Sequence, residues 1–369
     1  MQTSPLRKVD TPALFLDLDI IERNLDAMQQ KMTGLGVDLR PHIKTHKIPE
    51  LALWQIEKGA KGITCAKLSE ARVMAGAGVK DIFIANQITT PCKISGIWDL
   101  AREVCLSVGL DSVAGAKMLS ELFAAKGGEL EYLIELDTGL KRCGVLPGEP
   151  AWKLHQQIKD LPGLKFKGLF THAGHVYGSA NREEVEAISR YESRLTQETA
   201  EIFRQNQVEP QVVSVGSTPT MKVWQGHQGI TEARPGCYLL NDAMQVGMGV
   251  AELEDCALSL GATVISRPTP DRAVIDAGAK ALALDKGGHG LETVKGHGVI
   301  PGRDAYPERL SEEHGILKVA PDEPLSVGDM VRIIPNHACP VMNLFDRAYG
   351  IRNGRVEKEF EIAARGKSQ

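Results

Sequence analysis

The stretch VDLRPHIK, residues 37–44, decides how the chain is read. An apolar run too short for a helix ends in His42 and Lys44, polar groups at what would be the carboxyl end of a strand. The same texture returns in GITCAK (62–67), IFIANQI (82–88), CLSVGLD (105–111), YLIELDTG (132–139), KGLFTHAGH (167–175), VVSVGS (212–217) and EARPGCY (232–238). Segments of helical periodicity separate these runs. In SEARVMAGAG (69–78), Ser69 is the expected N-cap, and residues 182–206 form the longest and most charged helix. Eight strand–helix units predict an α/β fold, a (β/α)8 TIM barrel. An open doubly wound sheet would usually carry a glycine-rich dinucleotide loop after its first strand, and none stands there.

After about residue 248 the pattern changes. The runs 258–268, 271–282, 315–321, 329–336 and 355–366 read as strands separated by turns, with SVGDMV (326–331) as a hairpin feature. A barrel over 22–248 is therefore expected. A mostly β domain over 249–369 should follow it, joined by the strand-like opening within 1–21. The length of 369 residues suits this two-part arrangement. A net charge of −4 and an aromatic content of 5% argue against a nucleic-acid partner, and the charge against an anionic membrane surface. No apolar run is long enough to span a bilayer, and MQTSPLRKVDTP carries no signal-like segment. The seven cysteines are scattered with no CxxC pair, which suits a reducing cytoplasm.

Barrel enzymes place their chemistry at the carboxyl ends of the strands. Here those ends offer His42 and Lys44, Cys65 and Lys67, Asn86, Asp111, Asp137 leading to Arg142, His172 and His175, Gly216-Ser217-Thr218, and Gly236. Lys44 stands between Ile43 and two histidines. A lysine so placed can be partly desolvated and act as a Schiff-base amine, or it can be a salt-bridged strand-end lysine. SVGSTPT (214–220) and RPGCY (234–238) follow strands seven and eight, where barrels often bind phosphate; two ordinary turns are the alternative. In PNHACP, His337 and Cys339 have a spacing that would aim both side chains to one face of a strand. Imidazole and thiolate suit zinc, while a buried histidine beside an inert cysteine is the alternative.

PHIKTHK, GITCAKLSEA, DTGLKRCG, THAGH, RPG and NHACPVMNLFD occur together in this order. The set resembles the D-threonine aldolase and D-serine dehydratase family, pyridoxal-phosphate enzymes built on an alanine-racemase-like barrel. The resemblance runs from about Val9 to Gly366. It implies that Lys44 carries pyridoxal 5′-phosphate and that Arg142 lies near its pyridine ring. It implies that Gly216, Ser217, Thr218, Gly236 and Cys237 surround the phosphate; Tyr177 and Tyr238 complete the expected cofactor-binding set. A divalent metal on His337 and Cys339 is also implied, with zinc expected and manganese or magnesium as alternatives. The family's aldolases often have an acidic residue where this chain has Cys339, and its dehydratases often have cysteine. THAGH is closer to the dehydratase form.

The expected activity is lysis of a small D-β-hydroxy-α-amino acid. Dehydration would give a 2-oxo acid and ammonia; retro-aldol cleavage, with His172 as base, would give glycine and an aldehyde. A racemase of the same fold would need a second acid or base on the opposite face, and no tyrosine of the β domain stands out for that role, Tyr306 being the fallback. A non-catalytic pyridoxal-phosphate carrier would be shorter than this chain. An unrelated sugar-phosphate barrel enzyme would lack the bound cofactor's absorbance. A homodimer is expected from the resemblance alone.

Overall fold

The computed structural model describes residues 4–287 and 294–369. Eight parallel strands form one sheet: Asp38–Leu39, Ile63–Cys65, Asp81–Ile84, Cys105–Leu110, Leu130–Leu136, Leu164–Thr171, Val212–Val215 and Glu232–Ala233. Each strand pairs with its neighbour in sequence, and the eighth pairs with the first in register Glu232 with Asp38. The extension of the first strand then meets the second. Ile43 donates its N–H to Thr64 O at 3.0 Å, Thr64 donates to Pro41 O at 2.8 Å, and His42 bridges Thr64. The ring is thereby closed, as the eight-unit pattern predicts.

Helices cover the outside of the barrel. Helix Leu68–Gly76 starts one residue before Ser69, and its N-cap is Lys67 with no side-chain cap. Ser69 is occupied elsewhere: both its N–H and its hydroxyl donate to the carbonyl of Gln369, at 3.0 and 2.7 Å. The long helix Arg182–Gln205 starts from Asn181, whose side chain caps Glu184 N–H.

The barrel interior mixes aromatic and ionic contacts. Phe83 meets Phe170 edge to face at 4.9 Å. Arg40, buried, reaches Asp81 and Glu232 at 2.6 Å each, tying the first strand to the third and the eighth. Glu232 also accepts from Ser214 at 2.7 Å. The carboxylates hold the guanidinium charged against the cost of burial.

A ten-stranded, mostly antiparallel sheet forms the other half. Its centre is Leu258–Thr269, paired with Met330–Pro335, Arg272–Ile275 and the opening strand Ala13–Asp17. The opening strand runs parallel to Arg347–Arg352 on its other side, so it belongs to this sheet and not to the barrel. The run read as a strand over 271–282 stops at Ile275 and ends in the short helix Ala279–Leu282. A Cβ at Gly278 would lie 2.4 Å from the carbonyls of Ser311 and Glu312, so the chain turns there against another backbone. SVGDMV forms a turn leading into Met330–Pro335, with Asp329 N–H donating to Ser326 O, and not a hairpin between paired strands.

Candidate active site

A cavity of about 420 Å³ opens at the carboxyl ends of the barrel strands, walled on one side by the β domain. Lys44 enters it from the turn after the first strand, half-buried, with Thr45 and His42 beside it. Gly236 explains how the eighth strand's loop lies so close. A Cβ there would sit 2.9 Å from His42 O and 3.5 Å from Thr45 Oγ1, so no side chain fits between the two loops.

The seventh strand delivers Gly216, Ser217 and Thr218. Gly216 has φ +118 and its missing Cβ would press on Met221, so glycine is required for this turn. Ser217 caps the short helix Thr218–Val223 in a reciprocal arrangement with Thr220. Thr218 Oγ1 accepts from Gly236 N–H at 3.1 Å and locks the two loops together. The Cys237 thiol, pushed well up by burial and by Asp242, donates to Asp242 at 3.3 Å. Tyr177 also lines this corner; burial and the nearby Cys237 and Cys339 hold its hydroxyl protonated.

His172 follows the sixth strand, its Nδ1 3.4 Å from Gly216 O. Burial, then the charges of Lys44 and Arg142, hold it well below the usual histidine value. His42 is depressed in the same way by burial, Lys44 and His172. Two uncharged imidazoles therefore flank the lysine. Arg142 stands half-exposed at the mouth, 3.8 Å from the buried Glu135, whose carboxyl is raised by burial.

His337 and Cys339 close the cavity from the β domain. They do not share a strand. The strand ends at Pro335, His337 is the N-cap of helix Ala338–Met342, and Cys339 lies in its first turn. The two side chains nevertheless converge. Burial opposes charge on His337, yet Cys339 and the Asp285 carboxylate, 2.6 Å from Nδ1, raise it to about 11. Burial likewise opposes a thiolate at Cys339, but His337 and Lys44 bring the thiol below its usual value. With Nδ1 held by a carboxylate, Nε2 is the nitrogen left for a ligand, an arrangement common behind metal-binding histidines. No group of three or more such donors gathers among the described residues.

The structure thus brings together Lys44, His172, Arg142, Tyr177, Gly216, Ser217, Thr218, Gly236, Cys237, His337 and Cys339. Tyr238 is not among them; its ring packs in the barrel core and its hydroxyl accepts from Gln55 at 3.0 Å. Cys65 is core, Asp111 accepts from Gly144 N–H, and Asp137 accepts from Gly139 and Lys141 N–H. Tyr306 does not line the cavity and lies under the Lys295 ammonium. Sequence reasoning did not single out Thr45, Glu135, Arg234, Asp242, Gln245 or Asp285, all of which do line it. Arg234 has a visible signal in the RPG motif. It lies buried over Phe170, donating to Ser214 Oγ and Thr171 O.

The cavity suits pyridoxal phosphate: an amine-bearing lysine, two glycine-dependent loops that only a bare backbone permits, and neutral imidazoles. A closed parallel barrel with this lysine and a β domain across its mouth defines the alanine-racemase-like class. An alanine racemase N-terminal domain model matches residues 16–243, and a serine dehydratase domain model matches residues 257–351. D-threonine aldolase of Arthrobacter sp. is 34% identical over 99% of this chain and 95% of its own. D-threo-3-hydroxyaspartate dehydratase of Delftia sp. is 36% identical over 90% of this chain and 92% of its own. Solved D-threonine aldolase from Filomicrobium marinum superposes with TM-score 0.89 at 32% identity, covering 100% of this chain and 99% of that one. A cysteine-to-alanine variant of a D-threo-3-hydroxyaspartate dehydratase, solved in the metal-free form, also gives 0.89, at 33% identity over 97% and 98%. The chain belongs to the D-threonine aldolase and D-serine dehydratase family, and is a pyridoxal-phosphate-dependent lyase.

Proposed function

We propose that the chain cleaves small D-β-hydroxy-α-amino acids, with pyridoxal phosphate on Lys44 and a divalent ion, zinc by donor chemistry, on His337 and Cys339. One observation carries this reading: the lysine and the two-donor pair line the same cavity, and Thr45 Oγ1 lies 3.2 Å from Cys339 Sγ. Relatives named for D-threonine and D-threo-3-hydroxyaspartate support the substrate class, and the relative's metal-free form supports the ion.

Bound pyridoxal phosphate supplies an electron-poor ring that takes up negative charge from the substrate's α-carbon. An ion on His337 and Cys339 supplies Lewis acidity at the β-hydroxyl. The chain's own groups decide which proton moves. Lys44 Nζ, lining the cavity, would take the Cα proton, which leads to loss of water. His172, uncharged and held against Gly216 O, would take the hydroxyl proton, which leads to Cα–Cβ scission. Gly216, Ser217, Thr218, Gly236 and Cys237 would hold the phosphate, and Arg142, at the open side, would lie near the pyridine ring.

The deciding experiment incubates the loaded protein with D-serine, D-threonine and D-threo-3-hydroxyaspartate. Ammonia with 2-oxo acid, and glycine with aldehyde, are assayed separately. Release of neither pair from any of the three overturns the reading. The same reading includes a homodimer, which a purely monomeric sedimentation profile would contradict. It also includes a reducing cytoplasm, supported by seven free cysteines, and no helix among the described residues is long and apolar enough to cross a membrane.

A further inference from the structure

Gln245 is the third residue of the short helix Ala243–Gly247, and its N–H donates to the N-cap Asp242 at 3.1 Å. Its side chain is 0% exposed and lines the cavity. Among the described residues neither Oε1 nor Nε2 has a hydrogen-bond partner. Buried amides almost always satisfy both ends, so one left empty at both, in the wall of a ligand cavity, marks a place where the ligand does the satisfying.

Its position narrows what that ligand offers. Asp242, one helical turn away on the same face, accepts from Ala338 N–H at 2.9 Å and from Cys237 Sγ at 3.3 Å. Met244 N–H donates to Asn336 O at 3.1 Å. The helix is therefore pinned between the loop of the eighth strand and the segment that carries His337 and Cys339. A phosphate can only accept, so it satisfies Nε2 and leaves Oε1 empty. Water held by a metal ion donates strongly but has turned its lone pair to the metal, so it satisfies Oε1 and leaves Nε2 empty. The two together fill the amide.

We propose that Gln245 is a positioning residue that bridges cofactor and ion, Nε2 to the phosphate and Oε1 to a water on the ion, so that each strengthens the other's binding. This rests on the cofactor and metal assignments above. The bridge is measurable without turnover, because coupling between two ligands is reciprocal.

The test uses the full chain, stripped of cofactor and metal. Pyridoxal phosphate is titrated by its absorbance with and without saturating zinc. Zinc is titrated against a chromogenic chelator with and without pyridoxal phosphate. In the native protein each ligand should tighten the other by the same factor, roughly fivefold or more. In Gln245→Met that factor should fall to about one and both affinities should drop. Gln245→Glu keeps an acceptor and loses the donor, so it should weaken pyridoxal phosphate while leaving zinc affinity intact or raised. The inference is overturned if Gln245→Met keeps the native factor, or if the native protein binds both ligands without coupling. A native protein that takes up neither ligand instead defeats the assignments on which the bridge rests.

Discussion

Thr45 Oγ1 and Cys339 Sγ lie 3.2 Å apart, although 294 positions separate them in sequence. Thr45 follows Lys44 directly, so the contact brings the amine of the barrel and the thiol of the β domain to opposite sides of one small volume. Neither half holds the pair alone.

Removing the thiol should therefore separate two functions. Cys339→Ala, or treatment with a strong chelator, should abolish product release while the bound cofactor's absorbance band persists. Full turnover by metal-stripped protein would remove the ion from the mechanism.

Lys44→Ala should lose the absorbance near the visible edge, and borohydride should no longer fix the cofactor covalently to the chain. Mass spectrometry of the reduced protein reads this directly. A cofactor adduct surviving in the variant would place the attachment on another amine.

His172→Gln should cut glycine release by about 100-fold or more, the usual size of a lost general base. Release of 2-oxo acid should change far less, because that route uses Lys44. Cofactor absorbance should stay native. Equal losses in both assays would mean that His172 holds the site's shape and does not move a proton.

Glu192 makes a stability prediction. It is fully buried on helix Arg182–Gln205, and burial, only partly offset by weak contacts to Thr220, Gly216 and Ala173, raises it to about 7 from 4.5. Between those values the folded chain keeps a proton that the unfolded chain releases. Stability is thus present below about pH 4.5 and is lost as pH rises toward 7, by about 3 kcal/mol in all. In urea unfolding Glu192→Gln should gain on the native protein from about pH 4.5 to 7 and level off above that. A constant difference across that range would refute the assignment.

Arg40→Met should destabilise the fold by about 3–5 kcal/mol, because it strands the buried Glu232 carboxylate at the base of the barrel. Pairing it with Glu232→Gln should recover a substantial part of that loss. Thermal unfolding of the two single variants and the double variant checks the coupling.

The eight barrel strands were legible because each is a short apolar run followed by a segment of helical periodicity, from Asp38–Leu39 to Glu232–Ala233. The cap at Ser69 was not, because its hydroxyl is claimed by Gln369, a partner 300 positions away. His337 and Cys339 were found as a pair for a reason the structure corrects: they converge across a helix start, not along a strand. Whereas Arg234 was marked by the RPG motif, Glu135 and Gln245 carry no local mark of being buried and polar in a cavity. That status arises only when distant strands and loops assemble around them. Asp285 gained its place through a contact to His337 that no spacing rule reaches.

The opening strand Ala13–Asp17 waits longest for its partners. Leu14, Phe15 and Leu16 are wholly buried between Leu258–Thr269 and Arg347–Arg352. During synthesis this greasy segment precedes its first mate, Leu258–Thr269, by about 240 residues and its second, Arg347–Arg352, by about 330. A nascent barrel must keep it from sticking to other chains meanwhile. Expression of the barrel segment by itself should therefore yield aggregate. Moving those residues to the far terminus, by circular permutation, should let synthesis deliver the strand at the moment its neighbours exist.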